Sequence, residues 1–207
     1  MRRVADSTVR RLSMYLRLLE RFESTGQVTV SSDELAKQAG TTSAQVRKDL
    51  SFFGSFGKRG MGYEVPELAS ELRTILGLGR RWRVVIVGAG KIGAALAQYR
   101  GFGLRGFDIV AVYDVDAAVV GRAWGDLTVR HVDRLEADVH ELAPDIAVLA
   151  IPADDAQPLV DRLVGAGIKA IMSFVPAQLQ VPPDVALKTV NMAMELEGLS
   201  YWLTNRD

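Results

Sequence analysis

The chain has 207 residues, 48% of them hydrophobic, and no cysteine, which leaves room for two compact domains or one large one and excludes a disulfide framework, cysteine-ligated zinc and a cysteine nucleophile. Net charge is zero, but residues 1–62 hold 11 Lys and Arg against 6 Asp and Glu, and residues 63–207 hold 14 against 19, so a polyanion partner is expected for the first part only. The basic start, Met1-Arg2-Arg3-Val4-Ala5-Asp6, is followed by no long apolar run, and no segment approaches 18 uninterrupted apolar residues, so neither a signal peptide nor a membrane span is expected and a cytoplasmic location is.

Ser7 to Ser24 reads as a helix, with Val9, Leu12, Leu16 and Leu19 on one stripe of a 3.6-residue repeat and Gly26 ending it. Ser31-Ser32-Asp33-Glu34 fits a capping box for a second helix with Leu35, Ala36 and Ala39 inward, stopped by Gly40. Thr42-x-x-Gln45 fits another box, and the third helix runs to about Phe53. Two helices joined by a short turn containing Gly form a helix-turn-helix. The third helix separates its faces: Val46, Leu50 and Phe53 on one side, Ala44, Arg47, Lys48 and Ser51 on the other. Short residues let a groove come close, and Arg47 and Lys48 reach guanine edges or phosphates; Gln45 is counted with this surface. A small capped helix with a solvated basic face has the same pattern.

Gly54 to Val65 contains four glycines before Tyr63, with interleaved aromatics. It reads as a β-hairpin with its basic tip at Lys58-Arg59-Gly60, the wing of a winged helix lying against the DNA backbone or minor groove. The alternative is a glycine-rich turn with incidental charge. Pro66 suits the first turn of another helix with Leu68, Leu72, Ile75 and Leu76 inward, ended by Gly77 and Gly79. The expected domains are a DNA-binding domain at 1–79, a dinucleotide-binding domain at 80–190 and a terminal helix at 191–207.

Arg83-Val84-Val85-Ile86-Val87 is a buried strand, followed at once by Gly88-Ala89-Gly90-Lys91-Ile92-Gly93 and then alanine-rich sequence. This is the strand, turn and helix context of the dinucleotide fingerprint. Gly88 serves the tight turn, Gly90 leaves room for a pyrophosphate, and Gly93 allows close packing of helix on strand. Helix N–H groups from about Lys91 face the phosphates. Asp108 to Asp114 reads as a second strand whose terminal carboxylate lies 21 residues beyond Gly93. Asp114 would accept from the adenosine ribose hydroxyls and repel a 2′-phosphate, favouring NADH and NAD⁺ over their phosphorylated forms. The competing reading is a flavodoxin-like turn with no dinucleotide.

Beyond a short irregular part, strands at 127–129, 145–151, 168–174 and 185–190 alternate with helices at 132–142 and 156–164. That alternation predicts an α/β, Rossmann-like, doubly wound and mostly parallel sheet with its ligand at the carboxyl ends of the strands. Ile151-Pro152 and Phe174-Val175-Pro176 end two of those strands and are expected to line the pocket. Asn191 to Leu203 reads as a strongly apolar helix, either docked on its own sheet or exchanged in a homodimer.

A dehydrogenase needs a second domain beside the nicotinamide, and little chain remains to build one. His131 and His140 are the only histidines; they form no catalytic constellation and lack metal-ligand spacing, so neither an enzyme nor a metal site is expected. Tyr99, just past the glycine helix, has two readings: a neighbour of the nicotinamide or a packed helix-end tyrosine. The rival function is a small NAD-dependent oxidoreductase whose basic first domain binds another partner.

The whole chain resembles the redox-sensing transcriptional repressor Rex family. The resemblance rests on Val46 to Tyr63, Gly88 to Gly93 and Gly167 to Pro176. It implies a homodimer that binds inverted-repeat operator DNA and releases it when NADH binds. It implies DNA contacts from Arg47, Lys48 and Arg59, and a dinucleotide held by Gly88 to Gly93 with Asp114. By resemblance Tyr99 lies near the nicotinamide, and Arg17 is a first-helix arginine used between domains. Some members pair that arginine with an acid where this chain has Asn191, and an amide forms no ion pair. Ser173 stands where Asn is frequent, and Met192, counted with the cofactor-binding residues, where some members have an aromatic.

Overall fold

The structure is a computed structural model and describes residues 4–57 and 61–206. The chain divides into two compact units, Met1–Arg80 and Arg81–Asp207.

In the first unit, α1 (Asp6–Ser24), α2 (Ser32–Ala39), α3 (Ser43–Ser51) and α4 (Val65–Ile75) share one core. Leu12, Tyr15, Leu16 and Leu19 of α1 are all but fully buried with Leu35, Val46, Leu50, Leu68 and Leu72. Val9, expected on that stripe, is 41% exposed, because the inward position at the start of α1 belongs to Thr8. Ser31 caps α2, its oxygen accepting from the Glu34 N–H at 3.0 Å, and Gly40 ends it in the left-handed conformation. Thr42 caps α3 in the same way through the Gln45 N–H at 3.2 Å. The side chain three residues after each cap is engaged elsewhere: Glu34 accepts from Gln27 at 3.0 Å and Gln45 donates to Asp49 at 2.8 Å. Helix α3 ends at Ser51, two residues short of the expected Phe53.

The expected hairpin over 54–65 is not formed as two strands paired with each other among the described residues. Strand β2 (Tyr63–Glu64) pairs antiparallel with β1 (Thr29–Val30), which precedes α2. Gly57 and Gly62 both have positive φ, 75° and 79°, which glycine adopts at little steric cost. They bring the chain back on itself, since a Cβ on Gly57 would lie 2.4 Å from the Gly62 carbonyl oxygen. The basic tip, Lys58-Arg59-Gly60, lies outside the described residues.

The second unit contains β3 (Trp82–Val87), β4 (Phe107–Asp114), β5 (Ala123–Trp124), β6 (Leu127–His131), β7 (Ile146–Leu149), β8 (Ala170–Ser173) and β9 (Ala186–Thr189). The sheet order is β5-β6-β4-β3-β7-β8-β9. All pairs are parallel except β5 with β6, a short hairpin in the part expected to be irregular. Its turn contains Gly125 at φ 62°. Alternation along β3 sends Val85 and Val87 into one apolar layer and Val84 and Ile86 into the other, as a sheet covered on both faces requires. Helices α5 (Lys91–Ala97), α6 (Gly101–Leu104), α7 (Leu135–Leu142) and α8 (Ala156–Gly165) follow the strands. Strand order reverses between β3 and β7, which stay paired to Val87 and Leu149, and there the connections leave in opposite directions, leaving a crevice outside the carboxyl ends of the strands.

The last helix, α9 (Met192–Thr204), has no buried residue. Met192, Met194, Leu196, Leu199, Tyr201, Trp202 and Leu203 are each more than half exposed. Asn191 caps it, its side-chain oxygen accepting from the N–H groups of Ala193 and Met194 at 3.0 and 3.4 Å.

Candidate functional site

A cavity of about 410 Å³ lies at the reversal point. Its walls come from the carboxyl ends of three strands: Val87, Gly88 and Gly90 after β3, Asp114 and Val115 after β4, and Ala150, Ile151 and Pro152 after β7. The volume is within the range of small-molecule and cofactor sites. Each glycine has its own geometric reason. A Cβ on Gly88, which sits at φ 103°, would lie 2.2 Å from the Ala150 carbonyl oxygen. A Cβ on Gly93 would lie 1.8 Å from the Gly88 carbonyl oxygen, so α5 packs on the turn only without a side chain there. A Cβ on Gly90 would meet no protein atom; it would intrude only on the open space that a phosphate needs.

Asp114 is tied to this loop. One carboxylate oxygen accepts from the Ala89 N–H at 2.5 Å and the other from the Asp116 N–H at 2.9 Å. Each carboxylate oxygen accepts more than one hydrogen bond, so acceptor capacity remains for ribose hydroxyls. Asp114→Ala should therefore weaken NADH binding about tenfold or more and spare DNA binding without NADH. A paired NADH and duplex titration checks this, and unchanged NADH affinity would show the carboxylate to be misassigned.

Of the other residues expected to hold the cofactor, Ala89 is buried, and Lys91 and Ile92 are exposed on the first turn of α5. Ile151 and Pro152 line the cavity, whereas Phe174, Val175 and Pro176 do not. Tyr99 is 61% exposed and packs edge-on against Phe102, with ring centroids 5.1 Å apart. Neither Tyr99 nor Met192 is among the cavity walls. Ser173 is buried and accepts from the Val175 N–H at 3.1 Å. Sequence reading missed Val132, Asp155, Pro158, Leu159 and Arg162, all of which line the cavity. Arg162 pairs with Glu136 at 2.6 and 2.9 Å, so α8 is clasped to α7 beside it. Val132, the first residue after β6, was within reach of the rule that ligands sit beyond strand ends. Among the described residues no group of His, Asp and Glu could hold a metal ion, and no helix is long and apolar enough to cross a membrane.

In the first unit, Ala44, Arg47, Lys48 and Ser51 are exposed together on α3, as their spacing predicts. Arg47 donates to the Ser32 hydroxyl at 2.8 Å, which holds its guanidinium near the α2 start. Gln45 is only partly exposed, and its amide nitrogen is spent on Asp49 at 2.8 Å. Asp49, also on α3, was not singled out from the sequence; it is fully buried behind the basic face. Arg17 is exposed on α1.

Comparison with known proteins matches these two halves. Residues 3–51 fit the family described as putative DNA-binding protein N-terminus, and residues 80–177 fit the CoA binding domain family. The redox-sensing transcriptional repressor Rex of Syntrophomonas wolfei is 45% identical over 201 residues, 97% of this chain and 96% of that protein. The repressor of the same name from Streptomyces coelicolor is 44% identical over 97% of this chain and 78% of its own length. Among solved structures, RSP in complex with β-NAD⁺ and operator DNA is 40% identical, covers 98% of this chain and 94% of its own, and superposes with a TM-score of 0.94. RSP in complex with β-NADH is 39% identical over 97% and 94%, with a TM-score of 0.88. On identity that spans nearly the whole length, the chain belongs to the family of Rex redox-sensing transcriptional repressors.

Proposed function

We propose that this chain is a repressor that reads the NADH to NAD⁺ ratio, holding operator DNA through α3 and releasing it when NADH fills the cavity beyond β3, β4 and β7. The observation that carries the reading is the coexistence of two built features: an exposed basic helix face, and a crevice at the strand reversal with Asp114 tied to the glycine turn. The relative RSP is known in complex with β-NADH, and with β-NAD⁺ and operator DNA.

Gly88 to Gly93 would hold the pyrophosphate by backbone N–H groups, and Asp114 the adenosine ribose. Tyr99 and Met192 are assigned to the nicotinamide end by resemblance. NADH and NAD⁺ share every adenosine contact, so discrimination comes from few groups around that ring, which differs in charge and planarity. The segment from Gly57 to Gly62, carrying Lys58 and Arg59, would act as the wing of a winged helix. The exposed apolar length of α9 supports a homodimer built by exchange of that helix. Two copies would place two α3 helices in successive major grooves, about 34–36 Å apart. NADH would favour a different spacing, so DNA and NADH oppose each other by linkage. Arg17 and Asn191 belong to this switch by resemblance, with a neutral amide in place of an ion pair.

Titration of a duplex carrying an inverted repeat, with NADH and NAD⁺ side by side, tests the reading. Binding should be tight with NAD⁺, steeply salt-dependent, and reversed by NADH. Lys48→Ala should lower duplex affinity about fivefold or more, flatten the salt slope by about one counterion, and leave NADH affinity alone. Equal duplex binding under both oxidation states would sink the sensor; loss of both activities in Lys48→Ala would sink the two-module assignment.

A further inference from the structure

Behind the basic face of α3 lies a side chain densely hydrogen-bonded among the described residues. Asp49 is fully buried, and its carboxylate accepts five hydrogen bonds. Arg11 donates twice, at 2.6 and 2.8 Å, Gln45 once at 2.8 Å, Tyr15 once at 3.0 Å and Thr8 once at 3.4 Å. Three of those four partners stand on α1. Helix α1 packs its apolar face on α2 and α4, and α3 packs on α2, so this polar cluster is a second tie between α3 and α1.

Burial raises the carboxyl pKa of Asp49, and hydrogen bonds from Arg11, Gln45 and Tyr15 outweigh burial and hold it below the ordinary aspartate value. The group is therefore charged throughout the neutral range. Charged clusters of this kind are a poor source of net stability, because desolvation offsets most of the attraction, and apolar side chains of similar volume often serve as well. What an ionised carboxylate does provide is direction: it accepts and never donates. The Gln45 amide must then turn its nitrogen toward Asp49, and its carbonyl oxygen is left for an outside donor, such as the exocyclic amine of adenine or cytosine.

We propose that Asp49 is a positioning residue for operator recognition: it anchors α3 to α1 through Arg11 and Tyr15, and it fixes which end of the Gln45 amide is presented to DNA. This rests on the reading of α3 as the DNA-binding helix. Asp49 touches no base itself, so its loss acts on discrimination between sequences more than on general affinity for a duplex.

The test uses the full chain and two duplexes, an operator selected by the parent protein from a random-sequence pool and an unrelated sequence of equal length. One variant is Asp49→Asn, which keeps the shape and lets the neighbouring amide turn either way. The other is Arg11→Met with Tyr15→Phe and Asp49→Leu, which replaces the whole cluster by apolar groups and strands no charge. Thermal melting and NADH affinity are measured on each. In both variants the preference for operator over unrelated duplex should fall about tenfold or more, while affinity for the unrelated duplex and NADH affinity stay near the parent's; melting stays near the parent's in the triple variant and falls in Asp49→Asn, where Arg11 loses its charged partner. A folded variant that discriminates as the parent does overturns the assignment. So does a loss that is equal on both duplexes, since that marks a merely structural role. Should the triple variant fail to fold, the Asn variant decides by itself. A parent protein with no preference between selected and unrelated duplex would overturn the DNA-binding reading together with the role of Asp49.

Discussion

Gly93→Ala is expected to abolish NADH binding and leave a protein that holds operator DNA whether or not NADH is present. The added methyl carbon would lie 1.8 Å from the Gly88 carbonyl oxygen and 3.0 Å from the Gly88 carbonyl carbon. Both are backbone atoms in the turn that would cradle the pyrophosphate, so no side chain can rotate away to make room. Helix α5 must lift from β3 or the turn must open, and either change misplaces the N–H groups aimed at the phosphates. A loss of about 100-fold or more in NADH affinity follows from so direct a backbone clash. Fluorescence titration of NADH and a duplex titration without NADH read the two halves separately. NADH binding within a few-fold of the parent would show that the turn is not the phosphate cradle. Gly90→Ala is the useful contrast, because a methyl group there meets no protein atom; any loss in that variant reports on the ligand alone.

Asp138→Ala should cost the second unit about 3 kcal/mol, near the lower end for breaking a buried ion pair, and lower its melting temperature by about 10 °C. The Asp138 side chain is fully buried on α7, while its partners are not: Arg130 is 35% and Arg134 63% exposed. Arg130 donates at 2.7 Å, Tyr113 at 3.1 Å and Arg134 at 3.2 Å. Once the carboxylate is gone the two arginines can return part-way to water, which limits the loss, but Tyr113 keeps a buried hydroxyl without its acceptor. Burial raises the Asp138 pKa, and the hydrogen bonds from Arg130 and Arg134 bring it below the ordinary value. A folded-state pKa below the unfolded one means that this stabilisation is complete above about pH 4 and drains away as pH falls further. Chemical denaturation of parent and Asp138→Asn across pH 3–7 checks the sign. The gap between them should narrow only on the acid side, and a gap independent of pH would remove Asp138 from the titrating set.

Tyr113, which this carboxylate holds, directly precedes Asp114 at the end of β4. The contact of Asp138 with Tyr113 was invisible from sequence. Asp138 falls on a helix whose other acids are exposed, and only the tertiary fold separates it from them. Asp49 was overlooked for the same reason: between Lys48 and Leu50 it reads as one more charge on a solvated helix. Features that depend on backbone geometry within a few residues were legible. The glycine turn, the caps at Ser31 and Thr42, and Gly40 as a helix stop are each decided by local sterics or by one short hydrogen bond. Parallel strands that are apolar throughout were also legible, because burial on both faces leaves no polar residue in them.

The errors have specific physical sources. Val9 fits a helical stripe by spacing, but the polar cluster under α3 claims the first inward turn of α1. The segment after α3 has hairpin composition; its described part pairs β2 with β1, and its tip, Lys58-Arg59-Gly60, lies outside the described residues. The β5–β6 hairpin had its signal in Gly125-Asp126 between Ala123-Trp124 and Leu127-Thr128, a turn dipeptide of the kind that marks short hairpins. Cavity walls such as Leu159 and Arg162 lie well over 40 residues from the glycine turn, and only the strand order brings them beside it.

The arrangement of α9 bears on how the protein comes into being. Every residue of the two apolar interiors precedes Met192 in the chain, and synthesis runs from the N-terminus at about 5–20 residues per second, with domains folding as units. The exposed apolar helix is thus made only after every residue of both cores. A nascent chain is in this way spared that apolar surface until the residues of both cores exist.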